Sequence, residues 1–157
     1  MRVGQGIDSH RFGGDGPLVL GGVLVDESRG VEATSDGDVL VHAVIDALLG
    51  AAALGDLGSH YPSSDDRWHG ARSLDLLSDA VSKLEAAGWV PSNIDATVIA
   101  QSVRVAPHRE AMRTALADAL GIDVGAVSVK ATTTDHLGFT GRDEGLAAFA
   151  TAAINPA

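Results

Sequence analysis

The run Ser35-Asp36-Gly37-Asp38-Val39-Leu40-Val41-His42-Ala43-Val44-Ile45-Asp46-Ala47-Leu48-Leu49-Gly50-Ala51-Ala52-Ala53 opens with a capping-box signature and continues as an almost unbroken apolar stretch. A helix that is apolar nearly all round has no face to give to water, so it is expected to be buried, with the remaining elements packed around it. The interruptions by His42 and Asp46 argue against a membrane span.

Before this helix, Arg2 to Asp8 and Leu18 to Val25 are short, β-branched and Gly-interrupted, and the cluster Gly13-Gly14-Asp15-Gly16-Pro17 between them reads as a turn. They are expected to form an N-terminal pair of strands. After it comes a polar loop from Gly55 to Gly70, long for a mere connection and so a candidate for function. A second helix, Ala71 to Ala87, carries Leu74, Leu77, Val81 and Leu84 on one stripe and stops at Gly88; it reads as scaffold. Asn93 to Ala100 alternates as a half-buried strand, Pro107 to Leu120 forms a third helix closed by Gly121, and Val127 to Ala131 is another strand. For Gly145 to Ile154, Ala content favours helix while the preceding Gly-rich turn favours a returning strand, and periodicity does not decide between them. Strands mixed with three helices, and no repeat or linker, point to a single two-layer α/β domain over residues 1–157.

Composition narrows the function. A chain of 157 residues, 45% hydrophobic, supports one core, and 19 Gly with only 4% aromatics imply packing by small and aliphatic side chains. A net charge of −10 without a compensating basic stripe excludes nucleic acid as a natural partner. An acidic protein that handles phosphates must neutralise them locally, through cations, backbone N–H groups or a few placed Arg and Lys. The absence of Cys rules out disulfides and thiolate metal sites, so a zinc ion would need His and carboxylate ligands. No apolar leader segment is apparent, and the cytoplasm is the expected location.

Asp8 and His10, two apart on a strand, leave the same face. His42, inside an apolar helix, needs a partner; it is either a core histidine bonded to a carboxylate or carbonyl, or a metal ligand. Asp38 and Asp46 stand four residues to either side of it, so one of them could orient its second ring nitrogen. Asp8, His10 and His42 would together make a two-His, one-carboxylate set with an open position, as catalytic zinc requires. Ser35 offers a hydroxyl and helix N-terminal N–H groups to a phosphate, although Asp36 and Asp38 beside it also fit an ordinary cap.

The stretch Lys130-Ala131-Thr132-Thr133-Thr134-Asp135-His136-Leu137-Gly138-Phe139-Thr140-Gly141-Arg142-Asp143-Glu144-Gly145 leaves a strand with three consecutive hydroxyls, a carboxylate, three glycines and an Arg. Thr hydroxyls and N–H groups suit phosphoryl oxygens, Asp135 suits Mg²⁺, and Arg142 suits a diphosphate; a β-prone Thr run ending in a solvated turn is the plainer reading. There is no Gly-x-Ser-x-Gly elbow, Walker loop or Gly-x-Gly-x-x-Gly turn.

Taken in order, Gly6-Ile7-Asp8-Ser9-His10-Arg11-Phe12, Ser35-Asp36-Gly37-Asp38 with His42, Leu54-Gly55-Asp56-Leu57-Gly58, Pro107-His108 and Lys130-Ala131-Thr132-Thr133-Thr134 through Arg142 resemble the 2-C-methyl-D-erythritol 2,4-cyclodiphosphate synthases of the non-mevalonate isoprenoid pathway, nearly end to end. The resemblance implies a mixed sheet with helices on one face, a strand for the tail, and a homotrimer with a sheet-lined axis and active sites between subunits. It implies a lyase reaction in which 4-diphosphocytidyl-2-C-methyl-D-erythritol 2-phosphate cyclises with release of CMP. By the same likeness Asp8, His10 and His42 hold a zinc-like ion, and Asp135 helps hold Mg²⁺ (or Mn²⁺). Thr132 and Thr133 bind phosphoryl oxygens, with Thr133 in a catalytic role; Ser35 contacts substrate, and Asp56 and Gly58 fix the erythritol hydroxyls. Ala100 to Ala106, including Arg104 and Val105, form the cytosine pocket, while Phe139 and Arg142 lie near an axis that can hold an isoprenoid diphosphate.

The chain departs from the family pattern at three positions. Thr34 stands where the family usually has His beside the attacking phosphate, Asp135 where it often has Glu, and Arg104 where it usually has Lys. Two other functions fit a family relative: a metal-dependent phosphohydrolase in which water attacks and a linear product forms, and a non-catalytic trimer that binds isoprenoid diphosphate or nucleotide without turnover.

Overall fold

A computed structural model describes the whole chain, Met1–Ala157. The apolar run forms α1 (Val39–Ala52), with 12 of its 14 residues buried, in the midst of one contiguous core of 35 residues. The helix begins three residues after the sequence signature suggests. Asp38, not Ser35, is the N-cap, its carboxylate accepting from Val41 N. That carboxylate also accepts from Gly21 N at 2.9 Å and Gly22 N at 2.7 Å, which pins a hairpin turn to the start of the helix.

The hairpin consists of β2 (Leu18–Leu20) and β3 (Val23–Asp26). It does not pair with the first strand, β1 (Arg2–Arg11), as the N-terminal run suggests. β1 instead pairs antiparallel with the C-terminal strand β6 (Gly145–Pro156), in register from Arg2↔Ile154 to Arg11↔Gly145. The ambiguous tail is therefore a strand. Its Leu146, Ala148, Ala150, Ala152 and Ile154 face the core, and its place between two strands overrides the helix preference of Ala. β4 (Trp89–Ile99) pairs antiparallel with β6 and parallel with β5 (Val127–Thr132), giving a mixed sheet in the order β1-β6-β4-β5.

The polar loop after α1 contains the short helix α2 (Leu57–His60); α3 (Ser73–Ala86), α4 (Arg109–Leu120) and the short α5 (Gly138–Gly141) complete the chain. α1 packs on β1 and β6, α3 on α1 and β4, and α4 on α3 and β5, all on one face. The opposite face carries Val3, Ile7 and Phe149, which remain 59%, 58% and 47% exposed on a sheet surface without a helix. The fold is the two-layer, mixed-sheet α+β arrangement that the resemblance implies.

One contact in this architecture sets up the site. A Cβ on Gly4 would lie 2.1 Å from the Ala47 carbonyl oxygen, and one on Gly6 would lie 2.0 Å from that of Ala43. Strand and helix backbones therefore meet without intervening side chains. Asp8 and His10 continue the same face of β1 that Gly4 and Gly6 begin, and His42 precedes Ala43 on the helix, so the close approach brings the three together.

Candidate metal centre and active site

Asp8 Oδ2, His10 Nε2 and His42 Nδ1 converge at one point. The separations are 3.0 Å from Asp8 to His42, 3.1 Å from Asp8 to His10 and 3.2 Å between the two ring nitrogens. Ligands held 2.0–2.1 Å from a tetrahedral ion are roughly 3.3 Å apart, so the donor set matches a zinc-sized ion in both chemistry and spacing. Burial raises the Asp8 carboxyl, but the hydrogen bonds and charge that the His10 and His42 rings supply when protonated outweigh it and hold the group well below the usual carboxylate range. Asp8 is thus an anion at neutral pH, as a metal ligand must be.

Beside the triad lies a cleft of about 150 Å³, with Thr34 and Ser35 on one side and Leu57, Tyr61, Trp68 and Leu76 as an apolar wall. The wall is fastened from below. Tyr61 donates to Asp79 Oδ2 at 2.7 Å, with Leu76 O 3.2 Å from the same hydroxyl, and Leu57 N donates to Asp46 Oδ1 at 2.6 Å. Burial raises the Asp46 carboxyl, the Leu57 N–H lowers it in part, and the charges of Asp56 and Asp8 raise it further.

Neither carboxylate expected to orient His42 does so. Asp46 is turned to Leu57, and Asp38 to the hairpin, where burial pushes it up to about 6 against the N–H groups of Gly22, Val41 and Gly21. The far ring nitrogen, His42 Nε2, lies instead 2.9 Å from Ser73 Oγ and 3.2 Å from Ser35 Oγ. Ser73 opens α3, the helix read from sequence as scaffold. A lone Ser at a helix start carries no signal beyond local capping, and its partner is 31 residues away. Ser35, by contrast, is not at a helix N-terminus: it sits in the turn before Asp38 and meets the imidazole through its hydroxyl.

The remaining expected site residues divide. Asp56 caps α2, its carboxylate accepting from Ser59 N and Ser59 Oγ, which lower it from its ordinary value; with Gly58 it flanks Leu57 at the cleft. Thr132, Thr133 and Asp135 are exposed, at and just beyond the end of β5, and Arg104 is exposed in the loop after β4. Ala100 N donates to Thr132 O at 3.1 Å and His136 N to Gln101 Oε1 at 3.1 Å, so these two loops form one unit. Val105 is buried beneath it, and Ala106 starts the short turn leading to α4. Because β5 and β1 are opposite edges of a four-stranded sheet, this unit and the metal triad start roughly 14 Å apart across the sheet. Phe139 lies nearer, lining a shallow groove with Ser9, His10, Arg11 and Glu144, and Arg142 Nε donates to Glu144 Oε1 at 2.8 Å rather than standing free.

Residues 1–155 match the model of the YgbB family. The chain belongs to that family. YgbB relatives named 2-C-methyl-D-erythritol 2,4-cyclodiphosphate synthase include one from Alkalilimnicola ehrlichii, 57% identical over 98% of this chain and 94% of its own, and one from Vibrio cholerae, 52% identical over 94% and 93%. Among solved structures, the bifunctional IspDF from Campylobacter jejuni superposes with a TM-score of 0.96 at 42% identity, covering 99% of this chain, which spans 42% of that longer one. IspF of Plasmodium falciparum, in a CDP complex, superposes at 0.85 with 30% identity over 99% and 96%. The fold is thus shared with these structures over 99% of the chain.

Proposed function

We propose that the protein converts 4-diphosphocytidyl-2-C-methyl-D-erythritol 2-phosphate to 2-C-methyl-D-erythritol 2,4-cyclodiphosphate and CMP, as an isoprenoid-precursor lyase of the cytoplasm. The observation that carries this reading is the convergence of Asp8, His10 and His42 beside a cleft, in a chain whose full-length relatives bear the synthase name.

In this reaction an oxygen of the 2-phosphate attacks the β-phosphorus, a new P–O bond forms, and the bond from the β-phosphorus to the bridging oxygen breaks, so that CMP leaves with the α-phosphate. The nucleophile is already an anion, so no strong general base is required. Asp8, His10 and His42 would hold a zinc ion, and Asp135, with the substrate phosphates, a magnesium or manganese ion. When bound, these cations supply charge neutralisation and polarisation at the β-phosphate.

The chain's own groups do the positioning. Thr133 Oγ accepts from Asp135 N at 3.2 Å, so its own proton is free to donate to a phosphoryl oxygen as charge develops there. Thr132 adds a second hydroxyl. Thr34 and Ser35 face the cleft and can donate to the attacking phosphate; Thr34 brings one uncharged donor where the family usually has an imidazole. Asp56 and Gly58 would hold the erythritol hydroxyls, and Ala100, Arg104, Val105 and Ala106 the cytidine monophosphate portion.

The two halves of this site lie at opposite edges of the sheet within one subunit. A homotrimer joined over the helix-free face, where Val3, Ile7 and Phe149 are exposed, would bring the metal half of one copy to the phosphate half of the next. Phe139 and Arg142 would then lie near the axis, where an isoprenoid diphosphate would have to displace Glu144 from Arg142.

Phosphorus NMR of metal-replete protein with the diphosphocytidyl substrate tests the reading. Cyclic diphosphate plus CMP is the expected result. A linear product would assign hydrolysis instead, and binding without turnover would assign a non-catalytic role.

A further inference from the structure

Ser73 is fully buried in the first turn of α3, and its hydroxyl touches two groups of opposite need. Asp36 Oδ1 accepts its proton in a short hydrogen bond, and the imidazole of His42 lies on its other side, with Nε2 2.9 Å away. The Asp36 carboxylate also accepts from Ser73 N at 2.9 Å and from Asp38 N at 3.2 Å. A carboxylate only accepts, and a serine hydroxyl has one proton. With that proton committed to Asp36, Ser73 Oγ can meet His42 Nε2 only as an acceptor. In the neutral ring the proton therefore sits on Nε2, and Nδ1 presents a lone pair toward Asp8 Oδ2 and His10 Nε2.

We infer that Asp36 and Ser73 are positioning residues for the metal centre: the chain His42 Nε2–H to Ser73 Oγ–H to Asp36 fixes the tautomer and the ring plane that expose Nδ1 for coordination. This rests on the metal reading of the triad given above. With Nδ1 unprotonated, its lone pair faces the Asp8 carboxylate oxygen at 3.0 Å, an arrangement that a cation relieves. The chain's link from His42 to Ser73 is buried, where hydrogen bonds are strongest and a missing partner costs most. The chain is also assembled from two elements, since Asp36 belongs to the turn before α1 and Ser73 to α3. The metal site is completed only when α3 docks, and Asp36, accepting from Ser73 N, caps that docked helix.

The Ser35 hydroxyl, 3.2 Å from the same Nε2, is the competing partner. Were it to donate to Nε2, Ser73 Oγ would face a ring lone pair with no proton to offer. The shorter, buried contact decides the direction.

Long-range proton–nitrogen NMR of the histidine side chains, with zinc affinity from chelator competition and the visible spectrum of the cobalt-loaded protein, tests the chain without reference to turnover. Wild-type protein should show His42 protonated at Nε2 and bind zinc. In Asp36→Asn, the side-chain amide can donate to Ser73 Oγ, which frees the serine proton for Nε2 and drives the ring proton to Nδ1. Zinc affinity should fall about 10- to 100-fold, the usual effect of losing an outer partner of a ligating histidine, with an altered cobalt spectrum. Ser73→Ala should weaken zinc by a similar factor, and Ser35→Ala should leave the tautomer in place. Thermal unfolding of each metal-free variant separates these changes from a loss of folding.

Zinc affinity within about twofold of wild type in both Ser73→Ala and Asp36→Asn, with Nε2 still protonated, would overturn the relay while leaving the metal site standing. A tautomer that shifts in Ser35→Ala alone would overturn it by giving the acceptor role to Ser35. Wild-type protein without zinc affinity would overturn the metal reading itself.

Discussion

The metal half and the phosphate half of the site are built on opposite physical plans. The first lies between β1 and α1, where Gly4 and Gly6 let two backbones touch, and its buried ligand His42 is held by the buried Ser73. The second is a pair of exposed loops past the ends of β4 and β5, joined by two backbone-donated hydrogen bonds, with the Thr133 proton and the Asp135 carboxylate left unclaimed. The contrast teaches that, on the proposed reading, one subunit would carry a preassembled candidate metal triad and, apart from it, a set of donors that would meet the phosphates only with a substrate and a neighbouring surface.

The sharpest way to break this contrast is to remove a ligand. His42→Ala should abolish zinc binding and lower kcat/KM by more than the ~100-fold that loss of an outer-shell partner costs. Calorimetric zinc titration and initial rates check both. On the other half, Thr133→Val should reduce kcat roughly 100-fold, the scale of losing one donor to a developing oxyanion, while zinc affinity stays at the wild-type value. A Thr133→Val protein that lost zinc would contradict the separation of the two halves.

The close packing behind the metal half can be tested without substrate. A methyl at position 6 would drive into the Ala43 carbonyl, so Gly6→Ala should destabilise by about 1–3 kcal/mol in urea unfolding and, by displacing Asp8, weaken zinc as well. An effect of similar size concerns Asp38, which lies outside both halves. Asp38→Asn places an amide among three backbone donors and should cost on the order of 1–3 kcal/mol. The pH dependence has a definite sign. Burial raises the folded-state pKa of Asp38 from 3.8 to about 6, so its linked stability is fully present below 3.8 and lost as pH rises through about 6. Wild type should therefore lead Asp38→Asn by more at pH 4.5 than at pH 7.5, as read from paired denaturation curves.

Much of this was legible in the residues, for identifiable reasons. An all-round apolar run marks α1, glycine stops mark α3 and α4, and the two-residue spacing of Asp8 and His10 places them on one face of a strand. The pairing of β1 with β6 joins the two ends of the chain, and no local pattern names a partner so far away. Spacing of i±4 correctly aligned Asp38 and Asp46 with His42, yet it says nothing of where a side chain turns. Asp38 folds back over its own helix N-terminus and the hairpin N–H groups, and Asp46 reaches Leu57. Ser73 was invisible because its role depends on how α3 docks rather than on its neighbours in sequence. Thr132, Thr133 and Asp135 were singled out by residue type, and their distance from the triad follows only from the strand order.

That distance makes subunit complementation the most direct test of the account. His42→Ala and Thr133→Val proteins, each inactive or nearly so, are unfolded together in equal amounts and refolded as mixed assemblies. If every site joins the metal half of one copy to the phosphate half of the next, about one quarter of the sites regain both intact halves, and activity should return to roughly that fraction of wild type. Mixed assemblies that stay as inactive as their parents would contradict the account and place both halves of each site in a single chain.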